Sequence, residues 1–139
     1  MMRRMSDCLF CRIVAGEIPV TKVHEDERTI AFMDINPVTR GHLLVVPRAH
    51  SRDLLDIDPQ DLAATMQAAQ AVAAKAARAL DAEGVNVVNN CGAAAGQTVF
   101  HFHVHVVPRT FKDGFHVPLG GPPGDRDEIA ATAEAIRRA

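Results

Sequence analysis

The sequence contains no tryptophan and no tyrosine, and only six of its 139 residues are phenylalanine. Much of its apolar content is alanine between Ala63 and Ala82. Because alanine buries little area, the core must depend on valine, isoleucine, leucine and phenylalanine. No apolar run approaches the roughly 18 residues that a membrane-spanning helix needs. No apolar stretch follows the basic residues 1–5 either, so we expect neither a secretory signal nor a membrane partner.

An excess of charge of one sign is also missing, since 15 basic and 17 acidic residues leave a formal net charge of -2. Non-specific nucleic-acid binders carry a basic field, so this balance argues against a nucleic-acid partner. The three cysteines are odd in number and favour a reducing compartment. We therefore expect a cytoplasmic protein with one domain over residues 1–139 and no need of disulfides.

Five β-prone segments are bounded by turn or proline signals, and each predicts a strand. They are Lys22–Glu25 and Thr29–Met33, which predict a hairpin, and then residues 42–46, 85–89 and 99–107. Two of these bounding residues, Pro47 and Pro108, are expected to end the third and the fifth strand. Only residues 49–84 leave room for a crossover helix, so the pattern predicts an α+β fold with a largely antiparallel sheet and helices on one face.

One long helix is predicted between the third and fourth strands. Asp58 is a suitable N-cap, Pro59 fits the first helical position, and Gly84 is expected to end the helix. Its apolar stripe comprises Leu62, Met66, Ala69, Ala73, Ala76 and Leu80. Residues 114–124 are too rich in glycine and proline for a regular element, and residues 125–138 predict a short C-terminal helix.

Three of the seven histidines alternate along the last predicted strand, at His101, His103 and His105. Alternation places all three imidazoles on one face of the sheet. The other face receives the intervening apolar residues, which are Phe100, Phe102, Val104 and Val106. Each imidazole has two ring nitrogens that need partners, so three of them are expensive as core filler. The sequence favours either metal ligands or a nucleophile with its partners.

The segment Gly96-Gln97-Thr98 stands directly before this histidine strand. A glycine loop leaves backbone N–H groups free to face an anion, and Gln97 and Thr98 add neutral donors. An anion site beside imidazoles suits phosphoryl chemistry. A neutral imidazole can attack phosphorus at neutral pH and divide one displacement into two steps.

Residues 101–107 resemble the His-φ-His-φ-His-φ-φ signature of the histidine triad (HIT) superfamily. Residues 96–99, 33–37 and 41–47 are similar to other blocks of that family, and the resemblance extends from about Asp7 to Arg109. It implies a single HIT domain with a core of about residues 7–109 and a variable segment 110–139. It also implies a HIT-like fold, with a five-stranded antiparallel sheet, one long helix and a short C-terminal helix, and a homodimer.

The same resemblance implies hydrolysis of purine nucleoside 5′-phosphoramidates or related α-phosphate esters, through a nucleotidyl-histidine intermediate and without a catalytic metal. His103 would be the nucleophile, and His105 would contact the α-phosphate. His42 would hydrogen-bond the other ring nitrogen of His103, and His101 completes the catalytic set.

The resemblance also implies contacts with an AMP-like or GMP-like nucleotide. Asp34 would accept the ribose hydroxyls, which suits a carboxylate. Apolar positions around the base would be Leu9, Phe10, Ile13, Phe32 and Ile35. Positions on the phosphate side would be Asn90, Gly96, Gln97, Thr98 and Val99. Core packing is the alternative role of each apolar residue, and a turn role is the alternative for Asp34.

Cys8 and Cys11 form a CxxC pair, which supplies two of the four ligands that a closed zinc site needs. His50 and His101 are candidates for the third and fourth ligands. Similarity to bacterial HIT members with an N-terminal CxxC implies a structural zinc at such a set. Free thiols and a redox pair are the alternatives, although a redox pair is expected after a strand and at the start of a helix.

Three other functions stay open from the sequence. A diadenosine polyphosphate hydrolase would differ in its leaving-group contacts, which would come from the variable tail after Arg109. A zinc-dependent hydrolase would gather His101, His103 and His105 around a catalytic metal. A non-catalytic nucleotide-binding module would keep the same residues without turnover.

Overall fold

The computed structural model describes residues 7–115 and 123–138. Its helices are α1 (Leu9–Val14), α2 (Pro59–Leu80) and α3 (Arg126–Arg138), and its strands are β1 (Lys22–Glu25), β2 (Thr29–Met33), β3 (Leu43–Pro47), β4 (Gly84–Val88) and β5 (Val104–Arg109). All neighbouring strands are antiparallel, in the order β1-β2-β3-β5-β4. The predicted α+β class and five-stranded antiparallel sheet are confirmed. No helix in the described residues is long and apolar enough to cross a membrane.

Helix α2 packs on one face of the sheet, where alternate residues of β2, β3 and β5 point toward it. The buried cluster on this face contains Ala31, Leu43, Val45, Ile57, Ala68, Ala69, Val72, Phe102, Val104 and Val106. Asp58 caps the helix as predicted, because its carboxylate accepts the Gln60 N–H at 2.8 Å. The small alanine side chains let the helix axis approach the valine-rich strands closely.

Two details of the α2 prediction are wrong. Met66 was placed in the buried stripe, but it is 41% exposed, and the buried positions are Thr65, Ala68, Ala69 and Val72. The helix ends at Leu80 with Asp81 in the left-handed conformation (φ 52°), whereas Gly84 already begins β4. Aspartate adopts that conformation more readily than most residues, so no glycine is required there.

Helix α1 covers the opposite face of the sheet, so the expectation of helices on one face is wrong. Its residues Phe10 and Ile13 pack against Ile30, Phe32, Leu44 and Val46. Cys8 is the N-cap of α1, and its sulfur accepts the Cys11 N–H at 3.3 Å. A helix of six residues is too short to show a period of 3.6 in its sequence.

Strand β5 begins at Val104, five residues later than predicted, and continues through Pro108 to Arg109. Before it, Phe102 donates its N–H to the Ser51 carbonyl at 2.8 Å and not to a neighbouring strand. The pairing of β5 with β3 ends where Val106 faces Leu43. Pro108 lies beyond that point and has only β4 as a neighbouring strand, so the N–H that proline lacks can affect only that pairing. The C-terminal helix is confirmed as α3, while much of the irregular segment 114–124 lies outside the described residues.

Candidate functional site

His103 lies just before β5, with its ring on the α1 face and only 5% of the residue exposed. Its Nδ1–H donates to the backbone carbonyl of His101 at 2.7 Å. This bond fixes the neutral tautomer in which Nε2 keeps its lone pair. The rings of Phe10 and His103 are perpendicular, with their centroids 5.0 Å apart. Burial lowers the pKa of His103. The result is an unprotonated imidazole nitrogen available as a nucleophile.

The predicted hydrogen bond between His42 and His103 is not formed, because Nδ1 of His103 donates to the His101 carbonyl instead. His42 bonds to His105 instead. Its Nδ1 accepts the Val38 N–H at 3.1 Å, so its proton is on Nε2, which donates to Nδ1 of His105 at 2.9 Å. His105 therefore carries its own proton on Nε2, as a donor toward a ligand.

Burial keeps both histidines of this pair neutral. It lowers the pKa of His105 to about 4, and positive charge on His103 or His42 would lower it further. Burial also lowers the pKa of His42, against the opposing effect of Asp34. The Asp34 carboxylate stands 3.5 Å from His42 Nε2, and its other oxygen accepts the Asn36 N–H at 2.7 Å. Asp34 thus has the turn role and still presents one oxygen beside the histidine pair.

Cys8, Cys11, His50 and His101 form a second cluster, whose ligand atoms all lie within 4.8 Å of one another. Nδ1 of His101 is 3.4 Å from both sulfurs and 3.3 Å from Nδ1 of His50. A tetrahedral zinc ion, with bonds of about 2.3 Å to sulfur and about 2.0 Å to nitrogen, spaces its ligands roughly 3.3–3.8 Å apart. The donor set and its spacing therefore fit zinc.

The three histidines of the motif do not converge on one point. His101 is fully buried, its Nε2–H donates to the Pro47 carbonyl at 2.8 Å, and its Nδ1 faces the cysteines. The zinc-hydrolase hypothesis, which needs His101, His103 and His105 on one ion, has no support in this arrangement. Asp34, His42 and His105 do approach one another, but the 2.9 Å separation of the two imidazole nitrogens is that of a hydrogen bond.

The glycine-rich loop presents fewer donors than the sequence suggests. Gln97 is buried, with Nε2 donating to the carbonyls of Arg52 and Val99 and Oε1 accepting the Gly92 N–H. The backbone N–H groups of Gly96 and Gln97 are bonded within the loop. Gln97 was expected to donate to phosphate, but it shapes the loop. Among the described residues, the N–H groups of Thr98 and Val99 and the exposed Thr98 hydroxyl have no protein partner.

The apolar positions assigned to the base divide into two groups. Phe10, Ile13 and Phe32 are buried in the cluster beneath α1, whereas Leu9 and Ile35 are 44% and 89% exposed. Gly96 has a φ of +97°, which favours glycine, and a Cβ at this position would lie 3.7 Å from Nδ2 of Asn90. Of the five, Ile35 has most of its area exposed and Leu9 a little under half.

The residues that orient the histidines were not predicted from the sequence. Asn89 donates from Nδ2 to the His103 carbonyl at 2.9 Å, and the backbones of Val38 and Pro47 fix His42 and His101. Backbone groups are present at every residue, so a sequence cannot show which of them bind a histidine. Asn89 is adjacent to Asn90, which was predicted to lie near the phosphate, and nothing in the sequence distinguished the two.

The comparisons with known proteins agree with this geometry. The HIT domain family model matches residues 15–112. "Protein hit" of Bacillus subtilis is 41% identical over 115 residues, which cover 82% of this chain and 79% of that protein. Adenylylsulfatase HINT3 of Arabidopsis thaliana is 36% identical over 108 residues, 78% of this chain and 55% of that protein.

Solved structures are similar over nearly the whole chain. A Streptococcus mutans protein has a TM-score of 0.89 at 42% identity, covering 99% of this chain and 88% of its own. A zinc-bound histidine triad family protein from Mycobacterium smegmatis has a TM-score of 0.77 at 39% identity, covering 98% and 100%. A histidine triad nucleotide-binding protein from Candida albicans has a TM-score of 0.80 at 29% identity, covering 94% and 95%.

Proposed function

The chain belongs to the HIT domain family, and on that premise we propose that it hydrolyses purine nucleoside 5′-phosphoramidates or related α-phosphate esters through a nucleotidyl-histidine intermediate. The tautomer of His103 carries this proposal, because its Nδ1–H donates to the His101 carbonyl and its Nε2 is left unprotonated as the nucleophile. The names of two similar proteins, an adenylylsulfatase and a nucleotide-binding protein, agree with this class of substrate.

The nucleotide would lie along the α1 face. The free oxygen of Asp34 would accept ribose hydroxyls, and the exposed side chains of Leu9 and Ile35 would contact the base. The hydroxyl and N–H of Thr98 and the N–H of Val99 would donate to phosphate oxygens. Neutral donors suit a site in which charge shifts between phosphate oxygens during the reaction.

In the first step, Nε2 of His103 forms a bond to the α-phosphorus, and the bond from phosphorus to the leaving nitrogen breaks. The leaving nitrogen departs as a neutral amine with a proton taken up from solvent, while Nε2–H of His105, oriented by the hydrogen bond from His42, donates to a phosphate oxygen. The nucleotidyl-His103 ring is then a cation, and its Nδ1–H stays on the His101 carbonyl. In the second step, water attacks phosphorus and gives up one proton to solvent, the bond from phosphorus to Nε2 breaks, and His103 leaves as neutral imidazole.

A diadenosine polyphosphate hydrolase would use the same attack with a different leaving group. The contacts that would distinguish the two substrates are expected after Arg109, where residues 116–122 lie outside the described part of the chain. We therefore assign the class of bond that is cleaved and leave the natural leaving group to measurement.

We also propose a structural zinc on Cys8, Cys11, His50 and His101. The spacing of the four ligand atoms supports it, as does the zinc-bound relative from Mycobacterium smegmatis. The ion would join α1 to the segment after β3 and so attach the helix that covers the nucleotide face.

A homodimer is proposed on the position of β4, which is an edge strand of the sheet. An edge strand presents unpaired backbone groups that a second copy can pair. Val87 of β4 is 46% exposed and would be covered by such a partner. Sedimentation equilibrium of the wild type should give twice the mass of 15.0 kDa, and a monomer at micromolar concentration would contradict the proposal.

The test of the catalytic proposal is to trap the intermediate. The protein is mixed with adenosine 5′-phosphoramidate and quenched in alkaline denaturant, because the phosphorus–imidazole bond is labile to acid. We expect an adenylyl adduct on the peptide that contains His103, and none in His103→Gln. The matched control is Cys91→Ser, since Cys91 lies outside both clusters. Turnover in His103→Gln, or an adduct on another residue, would contradict the proposal.

A further inference from the structure

We infer that α3 of one copy docks in an apolar groove on the α2 face of a second copy, so that two chains exchange their C-terminal helices. The inference goes beyond the proposed reaction and rests on the proposed homodimer. The groove lies where the second half of α2 crosses β1, β2 and β3. It is therefore on the face of the sheet opposite His103 and separate from the proposed nucleotide site.

The groove is an apolar cavity of about 330 Å³ between α2 and the strands. The second half of α2 contributes small alanine side chains at this point, which leave space that larger residues would fill. The apolar wall includes Val23, Met33, Leu43, Ala76 and Leu80. Val23 is 44% exposed, so the wall reaches solvent at the β1 edge. A volume of this size lies at the lower end of the range for ligand sites.

Two cations, Arg40 and Lys75, line the same groove. In residues 7–115 and 123–138, neither cation lies within ion-pair distance of a carboxylate. Arg28 and Arg48, by contrast, are each paired with an acidic side chain. Positive charge without a partner beside an apolar cavity favours an occupant that is apolar on one face and carries acidic groups next to it.

Helix α3 has a face of this kind. The spacing of its face residues is that of one side of a helix, and they are Asp125, Glu128, Ile129, Thr132 and Ala133. Ile129 is 59% exposed, and within the described ranges α3 makes no extensive contact with another helix or strand. No described cation pairs with Asp125 or Glu128. An apolar stripe flanked by free carboxylates is how an amphipathic helix binds an apolar groove.

The start of the C-terminal segment favours a second copy as the owner of the groove. Arg109, at the end of β5, pairs with Gly84 of β4, the edge strand on which the homodimer is proposed. Residues 116–125 could span at most about 36 Å when extended, enough to pass that edge. No described residue of α3 lines the groove of its own chain. Reciprocal exchange about a two-fold axis would give each groove one helix and close the assembly.

Methyl NMR tests this contact between two copies. Protein labelled with 13C in isoleucine methyl groups is mixed with protein labelled in leucine and valine methyl groups, and the subunits are allowed to exchange. A cross-peak between the two residue types then joins different chains. We expect cross-peaks from Ile129 to Val23 and Leu80, each assigned by its loss in Ile129→Ala, Val23→Thr or Leu80→Met. Their absence would overturn the inference.

A second sample distinguishes exchange from folding back. Chains labelled in all three residue types are diluted tenfold with unlabelled chains, so that only contacts within one chain are seen. The same cross-peaks in this sample would place α3 in the groove of its own chain and overturn the inference. Sedimentation and adduct formation report separately on the proposed function. A dimer without these cross-peaks rejects the exchange alone, whereas a monomer rejects the homodimer with it, and neither result changes the adduct expected on His103.

Charge reversal tests the same contact without isotopes. Lys75→Glu would face the acidic groups of α3 with a like charge, twice in each dimer, and should weaken dimerisation about fivefold or more. Arg78→Glu is the matched control, because Arg78 is an exposed residue of the same helix that does not line the groove. Its effect should stay within about twofold. Glu128→Lys added to Lys75→Glu should restore the affinity, and equal weakening by Lys75→Glu and Arg78→Glu would overturn the inference.

Discussion

The two faces of the sheet are both buried, but different interactions stabilise them. Under α2 the cluster is almost wholly apolar, and Val45, Val104 and Val106 are at most 1% exposed. On the α1 face, His42, His101 and His103 are at most 5% exposed. Their ring nitrogens bond to Val38, Pro47 and the His101 carbonyl. Apolar packing alone stabilises the first face, whereas the second combines an apolar cluster of its own with directed hydrogen bonds to the histidines.

This difference predicts that substitutions on the two faces will affect different measurements. A truncation under α2 should lower stability and leave kcat unchanged, because the proposed nucleotide site is on the other face. A substitution of one of the histidines on the α1 face should change catalysis much more than stability. The predictions below test that separation in order of decreasing effect.

The largest effect is expected from His103→Ala. Removal of the nucleophile should lower kcat by about 10^4-fold or more, while affinity for AMP changes little, since the ribose and most phosphate donors remain. Calorimetric titration with AMP and steady-state turnover measure the two quantities. Val106→Ala, two residues into β5 on the α2 face, is the matched control. A near-normal kcat in His103→Ala would contradict the claim that catalysis depends on the histidines of the α1 face.

Acid pH should produce the next largest effect. The pKa of His105 is lowered to about 4 by burial, so His105 stays neutral well below pH 6.5. Burial also lowers the pKa of His103, whose protonation at Nε2 would remove the nucleophile. We therefore expect the acid limb of kcat to lie below pH 6.5, and a midpoint near 6.5 would mean that His103 and His105 are not in the environment described.

The same lowered pKa makes stability fall with acid. Between pH 6.5 and 4 the unfolded chain binds a proton at His105 that the folded protein does not, so the free energy of unfolding decreases as pH falls through this window. Turnover should therefore be measured at low temperature, with circular dichroism at each pH to confirm that the protein is folded. A loss of ellipticity that precedes the loss of kcat would assign the acid limb to unfolding.

A smaller, purely structural effect is expected from Val72→Ala. Val72 is 3% exposed and packs in the α2 cluster. Loss of two methyl groups and the cavity that remains should lower the free energy of unfolding by about 2 kcal/mol. Urea unfolding measures this loss, and kcat per folded molecule should equal that of the wild type. A fall in kcat at constant fold would show that the faces are coupled through the sheet.

The sequence predicted the packed face well and the reactive face only in part. Alternation from Phe102 to Val106 and the cap at Asp58 are local signals, and both are confirmed. The clustering of Cys8, Cys11, His50 and His101 was also anticipated and is present. The partner of His42 was not, because its bond to His105 joins residues 63 positions apart and depends on the register of β3 with β5. The internal bonds of Gln97 were not predicted either, because their acceptors are backbone carbonyls, which any sequence supplies.

The smallest effect should come from Met66, where the sequence and the structure disagree most clearly within α2. Met66 and Ala69 share the predicted apolar stripe, yet Met66 is 41% exposed while Ala69, one turn away, is 1% exposed. Met66→Gln should therefore change the free energy of unfolding by no more than about 0.5 kcal/mol. Ala69→Met is the matched variant, and overpacking should make it destabilising by about 1–3 kcal/mol. If Met66→Gln proves as damaging as Ala69→Met, Met66 must be covered in solution by another surface.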